Sequence, residues 1–201
     1  MITRIARLAR SRSGAAGAEF ALVLPLFLLL FIGIIDVGRF FWELNKGEKA
    51  TQVGARMAIV TTPVSPGLIA HNFATGTVPA GSQIPASELT GLKCTSTECV
   101  CEGTCAISNL AADATAFDAV VARMKKIHGG ITASNVIITY RGSGFGQAGQ
   151  ASGTMEISPL ITVTLTGMQF SPGITLGLLN FNMPAFSTTL TAEDVSGIYS
   201  E

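Results

Sequence analysis

The most pronounced pattern in the chain is an apolar run near its start. Every residue from Phe20 to Ile35 is apolar, glycine or proline. Counted from Ala15, the stretch is 21 residues long, and as an α-helix it extends about 32 Å, which matches a hydrocarbon core of about 30 Å. The pattern therefore predicts a single membrane-spanning helix. Pro25 removes one helical hydrogen bond, and we expect a kink there.

The helix is predicted to continue beyond the membrane. In DVGRFFWEL, Val37, Phe41 and Leu44 fall on one helical face, which is the periodicity of a continuing helix. The helix should end near Ala58, before the breaker TTPVSPG. A cleaved secretory signal peptide fits less well, because it has a shorter apolar core followed by small residues at its cleavage site. Charged residues occupy the opposite face at spacings that suit ion pairs: Asp36, Arg39, Glu43 and Lys46.

The second half of the chain predicts one helix and three strands. Residues 109–128 carry an apolar stripe and precede a glycine pair, so we expect a helix capped by Ser108 or Asn109. Strands are expected at 135–141, 160–166 and, more weakly, 186–192, where apolar and polar residues alternate. Such alternation suits an antiparallel sheet with one solvated face and a helix on the other. The apolar stripe consists of Phe117, Val120, Val121, Met124 and Ile127.

All four cysteines lie in an irregular segment between these two parts. Their spacing is C-x4-C-x-C-x3-C, without the C-x2-C pairs of a zinc ribbon, so two disulfides are favoured over a metal site. A bridge between Cys99 and Cys101 would be strained. Two pairings stay open at this point: Cys94–Cys99 with Cys101–Cys105, or Cys94–Cys101 with Cys99–Cys105.

Charge is distributed unevenly around the apolar run. Arg4, Arg7, Arg10 and Arg12 precede it without any acidic residue, and the rest of the chain has nine basic against thirteen acidic side chains. A chain of this charge is a poor nucleic-acid binder, since that function depends on clustered Lys and Arg. Instead, the positive-inside bias predicts a cytoplasmic N-terminus, with residues 36–201 on the other side of the membrane.

The segment RSGAAGAEFALVLPLFLLLFIGIIDVGRFFWELNKGEKATQVGARMA resembles the N-terminal region of TadE-like minor pilins of tight-adherence (Flp, type IVb) pili. The resemblance implies cleavage after Gly14 by a prepilin peptidase, which makes Ala15 the new N-terminus and Glu19 its fifth residue. It also implies that the Glu19 carboxylate pairs with the freed α-amino group, often on a neighbouring subunit. The implied partners are other pilins and the pilus assembly platform, in a possible hetero-oligomer.

The hydrophobic and charge patterns, together with this resemblance, give the expected organisation. The fold class is α+β, with a transmembrane helix that continues as a stalk and a small pilin-like head of a helix on an antiparallel sheet. The implied location is the bacterial inner membrane, crossed once, with the head in the periplasm. The expected segments are a basic prepilin leader (1–14), the transmembrane and stalk helix (15–58), a Gly/Pro/Ser-rich connection with the cysteine loop (59–111) and the head (112–201).

No pattern in the chain predicts catalysis, a cofactor or a metal. Gly144, Gly146 and Gly149 form G-x-G-x-x-G, but a strand rather than a helix is expected after them, so we interpret them as a hairpin loop. His71 and His128 lack the spacing of zinc ligands, and no G-x-S-x-G motif is present. The alternative function is a permanently membrane-anchored extracytoplasmic binding or adhesion protein, which uses the cysteine loop or the glycine hairpin.

Overall fold

The computed structural model describes residues 14–75, 77–103, 105–150, 155–173 and 179–192. A long N-terminal helix is followed by shorter helices and an antiparallel sheet, as the α+β prediction requires. The helices are α1 (Ala15–Val60), α2 (Pro66–Ala70) and α3 (Ala114–Lys125), with 3-10 turns at Ala86–Glu88 and Ala133–Asn135. The strands are β1 (Leu92–Cys94), β2 (Cys99–Cys101), β3 (Val136–Arg141), β4 (Leu160–Leu165), β5 (Gln169–Phe170), β6 (Phe181–Asn182) and β7 (Phe186–Thr191).

The chain divides into two compact units. Residues 1–43 and 170–181 form the first, here called the N-terminal unit, and residues 44–169 and 182–201 form the second, the sheet unit. Helix α1 contributes residues to both units.

In the N-terminal unit, α1 exposes most of its large apolar side chains. From Phe20 to Ile35 these side chains are between about two-fifths and four-fifths exposed, except for the half-buried Leu24. The apolar part of α1 has a mean hydropathy of 2.7, and by length and composition the helix could span a membrane. A surface this apolar is unfavourable in water and suited to lipid. The prediction of one N-terminal membrane-spanning helix therefore agrees with the structure.

The sheet unit is built on a five-stranded sheet in the order β2-β1-β3-β4-β7, with every neighbouring pair antiparallel. Strands β3 and β4 alternate buried and more exposed residues, so the predicted division into a packed and a solvated face is confirmed. Thr162 and Thr189 pair across β4 and β7 on the solvated face, with their hydroxyl oxygens 2.7 Å apart. The packed face of β3 and β4 consists of Val136, Ile138, Tyr140, Ile161, Val163 and Leu165.

Strands β1 and β2 lie inside the segment that was predicted to be irregular. Each has only three residues, too few to show a period-2 pattern. Nevertheless, β1 pairs with β3 over Leu92–Cys94, so the cysteine segment belongs to the main sheet. The prediction that the cysteine-containing connection (59–111) is irregular is wrong for these strands.

Helix α3 is shorter than predicted, because the residues of its expected first turn pair with the β2 region instead. Leu110 accepts a hydrogen bond from the Cys99 N–H at 2.8 Å, and Ala111 bridges to Glu98, so these residues are extended beside β2. The helix instead starts after Asp113, whose carboxylate accepts the Thr115 and Ala116 N–H groups at 2.8 and 3.1 Å. The predicted stripe is confirmed at its first four positions; the fifth, Ile127, lies beyond the helix and is only half-buried.

Residues 44–60 of α1 pack within the sheet unit through small side chains. A Cβ added at Gly47 would lie 2.6 Å from the Phe186 ring, and one added at Gly54 would lie 2.8 Å from Met124. Small residues at helical spacing thus let the helix approach the sheet and α3 closely. Val37 and Phe41, which lie on the apolar face identified earlier in the helix, are 56% and 58% exposed. The buried small residues are Gly47, Ala50, Thr51, Gly54, Ala55 and Ala58.

Two buried polar side chains attach the long connections to the sheet unit. The Val64 N–H donates to the Tyr140 hydroxyl at 2.9 Å, and burial of the phenol raises the pKa of Tyr140. The Glu156 carboxylate, which is 5% exposed, accepts the N–H groups of Phe73, Gly149 and Gln150 at 2.7, 3.0 and 3.0 Å. Both contacts satisfy backbone donors that lie outside helices and strands.

Candidate processing and assembly site

The predicted processing junction lies at the start of α1. Gly14 directly precedes the helix, which begins at Ala15. Gly14 is exposed, and a Cβ added there would meet nothing within 4 Å. Ala16 to Glu19 are exposed as well. Steric access of a peptidase to the junction is therefore not blocked by the described residues.

Glu19 stands one helical turn after Ala15. Residues four apart in a helix share a face and are separated by about 6 Å along its axis. The Glu19 side chain is exposed, and within the part of the chain that the structure describes it makes no ion pair or side-chain hydrogen bond. This placement leaves its carboxylate directed to the surroundings of the helix, where a charged partner could meet it.

Pro25 lies inside α1 rather than at an end. It has no N–H to donate to the carbonyl of Ala21, four residues earlier. Residues on both sides of Pro25 stay helical. The kink at Pro25 stays a prediction.

A polar cluster lies on α1 directly after the apolar run. The carboxylate of Asp36 is buried and accepts hydrogen bonds from Arg39 Nη1 at 3.0 Å and from the Gly173 N–H at 2.9 Å. The Arg39 guanidinium lies 5.7 Å from the centroid of the Phe170 ring, and the Phe40 ring meets that ring edge-on at 5.3 Å. The sequence predicted the Asp36–Arg39 ion pair from its spacing. It did not reveal Phe170 and Gly173, because nothing in a local pattern connects positions so far apart.

The cysteines form two disulfides, and the structure decides the pairing that the sequence left open. Cys94 bonds Cys99, with Cα atoms 4.0 Å apart, and Cys101 bonds Cys105, with Cα atoms 5.6 Å apart. The first bridge closes the turn between β1 and β2, and the second joins β2 to the loop after it. All four thiols are used, so this loop offers no cysteine ligand to a metal.

The glycine motif is a folded-back loop between β3 and β4. Gly144, Gly146 and Gly149 all have positive φ, at 80°, 134° and 79°. A Cβ at Gly146 would lie 2.3 Å from the carbonyl oxygen of Glu156, and Gly146 bridges to Ile157 on the returning arm. The interpretation as a hairpin loop is confirmed. Glycine is needed here because it adopts positive φ without strain and, at Gly146, because it lets the two arms of the loop approach closely.

The two histidines are placed differently from metal ligands. The His71 imidazole packs edge-on against the Phe73 ring at 4.5 Å, and burial lowers the pKa of His71 against a weaker upward effect of Glu156 and Glu88. His128 follows α3 and accepts the Gly130 N–H at 3.2 Å. Among the described residues, no group of three or more His, Cys, Asp or Glu side chains could hold a metal ion.

Comparison with known proteins gives one match. A family model described as TadE-like protein matches residues 14–56, about a fifth of the chain. The match begins at Gly14, covers Glu19, Pro25 and Asp36, and ends within the small-residue stripe of α1. The resemblance stated from the sequence is therefore confirmed over this segment. No curated protein and no solved structure matches the chain.

Proposed function

We propose that this chain, which carries a TadE-like segment at residues 14–56, is a minor pilin or pseudopilin that acts in the assembly of a tight-adherence pilus. In this proposal a prepilin peptidase cuts between Gly14 and Ala15. The observation that carries the proposal is an exposed Gly14 directly before a membrane-length helix, with the exposed acidic residue Glu19 near the start of that helix. The match to the family model over the same residues supports it.

The proposed orientation follows from charge and from the disulfides. The arginines at positions 4, 7, 10 and 12 favour retention of the N-terminus in the cytoplasm. The Cys94–Cys99 and Cys101–Cys105 bridges persist in an oxidising compartment, such as a bacterial periplasm. Both features agree with a single crossing of the inner membrane and a periplasmic sheet unit.

The role of Glu19 is electrostatic. Cleavage creates an α-ammonium group at Ala15, at the positive end of the helix dipole, where an anion is favourable. An unpaired charge in an apolar environment is costly, and insertion scales give about 2.5–3.5 kcal/mol for one charged residue at the centre of a membrane helix. A Glu19 carboxylate on a neighbouring subunit neutralises that ammonium group. Assembly in register is then favoured, because a helix shifted along its neighbour leaves both charges unpaired.

In this proposal the protein acts by packing against other subunits and carries out no chemical reaction. No catalytic or cofactor role is assigned to any described residue, and the proposed partners are the peptidase, other pilins and the assembly platform. The competing function, a permanently anchored binding protein, requires that the leader stay attached.

The proposal is tested by replacing Glu19 with glutamine in the bacterium that makes the pilus. The variant keeps the size of the side chain and removes its charge. We expect normal membrane insertion and cleavage, but at least about tenfold less assembled pilus, since 1.4 kcal/mol in an assembly equilibrium is a factor of ten. Sheared pili and membrane-extracted protein are quantified separately by immunoblot.

The matched control is Glu19→Asp, which keeps the charge and should retain more pilus than Glu19→Gln. Glu43→Gln removes a carboxylate from the same helix after the apolar run and should leave pilus yield unchanged. If Glu19→Gln yields as much pilus as the natural protein, the pairing role of Glu19 is wrong.

A further inference from the structure

The N-terminal unit also contains part of a second element, residues 170–181. Strands β5 and β6 form a two-stranded hairpin, joined at its open end by the Met183 N–H, which donates to the Met168 carbonyl at 2.8 Å. Residues 170–181 of this hairpin belong to the same compact unit as residues 1–43. The hairpin is thus held beside the part of α1 that follows the apolar run.

The contacts set the direction in which the hairpin runs. Phe170 meets the Phe40 ring, and three residues later the Gly173 N–H donates to Asp36. From Phe40 to Asp36 is about 6 Å along the helix axis, toward the apolar run. The first arm of the hairpin therefore advances toward the membrane-spanning part of α1. A Cβ at Gly173 would lie 3.2 Å from Arg39 Nη1, so a glycine permits this close approach.

The returning arm exposes large apolar side chains. Leu179 is 57% exposed and Phe181 is 53% exposed. No Lys, Arg, Asp or Glu occurs between Glu156 and Glu193 in the sequence, so the hairpin carries no charge of its own. Large exposed apolar side chains without charged residues among them are suited to a surface that faces lipid or a partner.

The adjoining part of α1 has the composition of a membrane interface. Asp36 is the first charged residue after the apolar run. Phe41 and Trp42 follow at 58% and 65% exposure, and aromatic residues of this kind are enriched where the acyl chains meet the headgroups. With Ala15–Ile35 in the hydrocarbon core, Asp36 to Trp42 occupy this interface. The hairpin is attached at this level by Asp36, Arg39 and Phe40.

We propose that the hairpin surface formed by Leu179 and Phe181 is a second membrane contact, which enters the interface of the leaflet at the Asp36 end of α1. The occupant is lipid rather than a protein partner, because the hairpin that carries this surface is attached to α1 at Asp36 and Phe40, directly after the apolar run, and its first arm advances toward that run. This second contact holds α1 at one depth and one tilt angle in the bilayer. It rests on the membrane span alone and does not depend on leader cleavage or pilus assembly.

Tryptophan quenching by brominated lipid tests this proposal on the full chain. The natural chain has one tryptophan, Trp42, so Trp42→Phe provides a background without tryptophan. Leu179→Trp and Phe181→Trp are introduced into it separately, and each protein is reconstituted in phosphatidylethanolamine–phosphatidylglycerol vesicles. Lipids brominated near the headgroup or deep in the acyl chain then report the depth of the indole. Phe145→Trp is the matched control, because Phe145 is an exposed phenylalanine on a loop of the sheet unit.

We expect the tryptophans at 179 and 181 to lose about half of their emission with the shallow bromolipid and less with the deep one, as an interfacial side chain does. The tryptophan at 145 should keep its emission. If Trp42 of the natural chain is quenched and positions 179 and 181 are not, the hairpin faces water or a protein and the proposal is overturned. If Trp42 is not quenched either, α1 does not place Asp36 at the interface and the premise is wrong. Neither result bears on leader cleavage, which is measured separately.

Discussion

Replacing Gly54 by leucine is expected to lower the free energy of unfolding of the sheet unit by about 3 kcal/mol. An added Cβ alone would lie 2.8 Å from Met124 Cγ and Sδ and 3.3 Å from Val163 Cγ1. Met124 can shift at moderate cost, but Val163 lies in the middle of β4 between paired neighbours and cannot. Three further carbon atoms must then force α1 away from the sheet and from α3.

The measurement is chemical denaturation of the full chain in detergent micelles, followed by near-ultraviolet circular dichroism. Gly38→Leu is the matched control, since it makes the same change in the same helix at a glycine where a Cβ would meet nothing within 4 Å. Removing an exposed helical glycine is neutral to stabilising, by up to about 1 kcal/mol. Equal midpoints for Gly54→Leu and the natural chain would contradict the close packing of residues 44–60.

Replacing Glu156 by alanine is expected to cost about 3–5 kcal/mol, an effect as large as that of breaking a buried ion pair. The carboxylate accepts three backbone N–H groups, from Phe73, Gly149 and Gln150, and is itself buried. Hydrogen bonds to a charged group contribute about 1.5–3 kcal/mol each, and their contributions are not additive. Loss of all three leaves the N–H groups without this acceptor and detaches the Phe73 segment from the glycine loop.

Denaturation of Glu156→Ala by the same method checks this expectation, and amide hydrogen exchange locates the change. Exchange should accelerate at Phe73, Gly149 and Gln150, and much less at residues of β4. Glu98→Ala is the control, because Glu98 has an exposed side chain and should change stability by less than about 0.5 kcal/mol. If Glu156→Ala is as stable as this control, Glu156 does not hold the two segments together.

The elements that the sequence predicted well are those with a long, regular period. The apolar run of α1 needs no knowledge of the rest of the chain, because lipid selects for apolar residues all round the helix. Strands β3 and β4 alternate over six residues each, and their buried residues agree with the alternation. The stripe of α3 was found for the same reason, although its first turn was misplaced.

The elements that were missed depend on contacts between distant positions. Strands β1 and β2 are recognised as strands only through their pairing with β3 and with each other. The packed face of α1 beyond residue 43 was not predicted, because the structure forms it with small rather than apolar side chains, with Gly47 and Gly54 at the tightest points. The recurrence of glycine and alanine at helical spacing was the available signal. The Asp36–Gly173 hydrogen bond had no local signal.

For the candidate site, the sequence was more informative than the structure. Gly14, Ala15 and Glu19 were identified from the order of residues and from the family resemblance, and the match at 14–56 confirms that resemblance. The structure adds that Gly14 and Glu19 are exposed at the start of α1. Their proposed roles depend on contacts with a peptidase and with a neighbouring subunit. Contacts within this single chain therefore do not reveal these roles.

The central claim is that proteolysis after Gly14 creates the N-terminus with which Glu19 pairs. Mass spectrometry of the chain extracted from membranes, with and without an active prepilin peptidase, tests it most directly. The account predicts an N-terminal peptide beginning AAGAEF with the peptidase, and a peptide from the arginine-rich leader without it. A chain that keeps its leader in cells with an active peptidase would contradict the account and favour the permanently anchored protein.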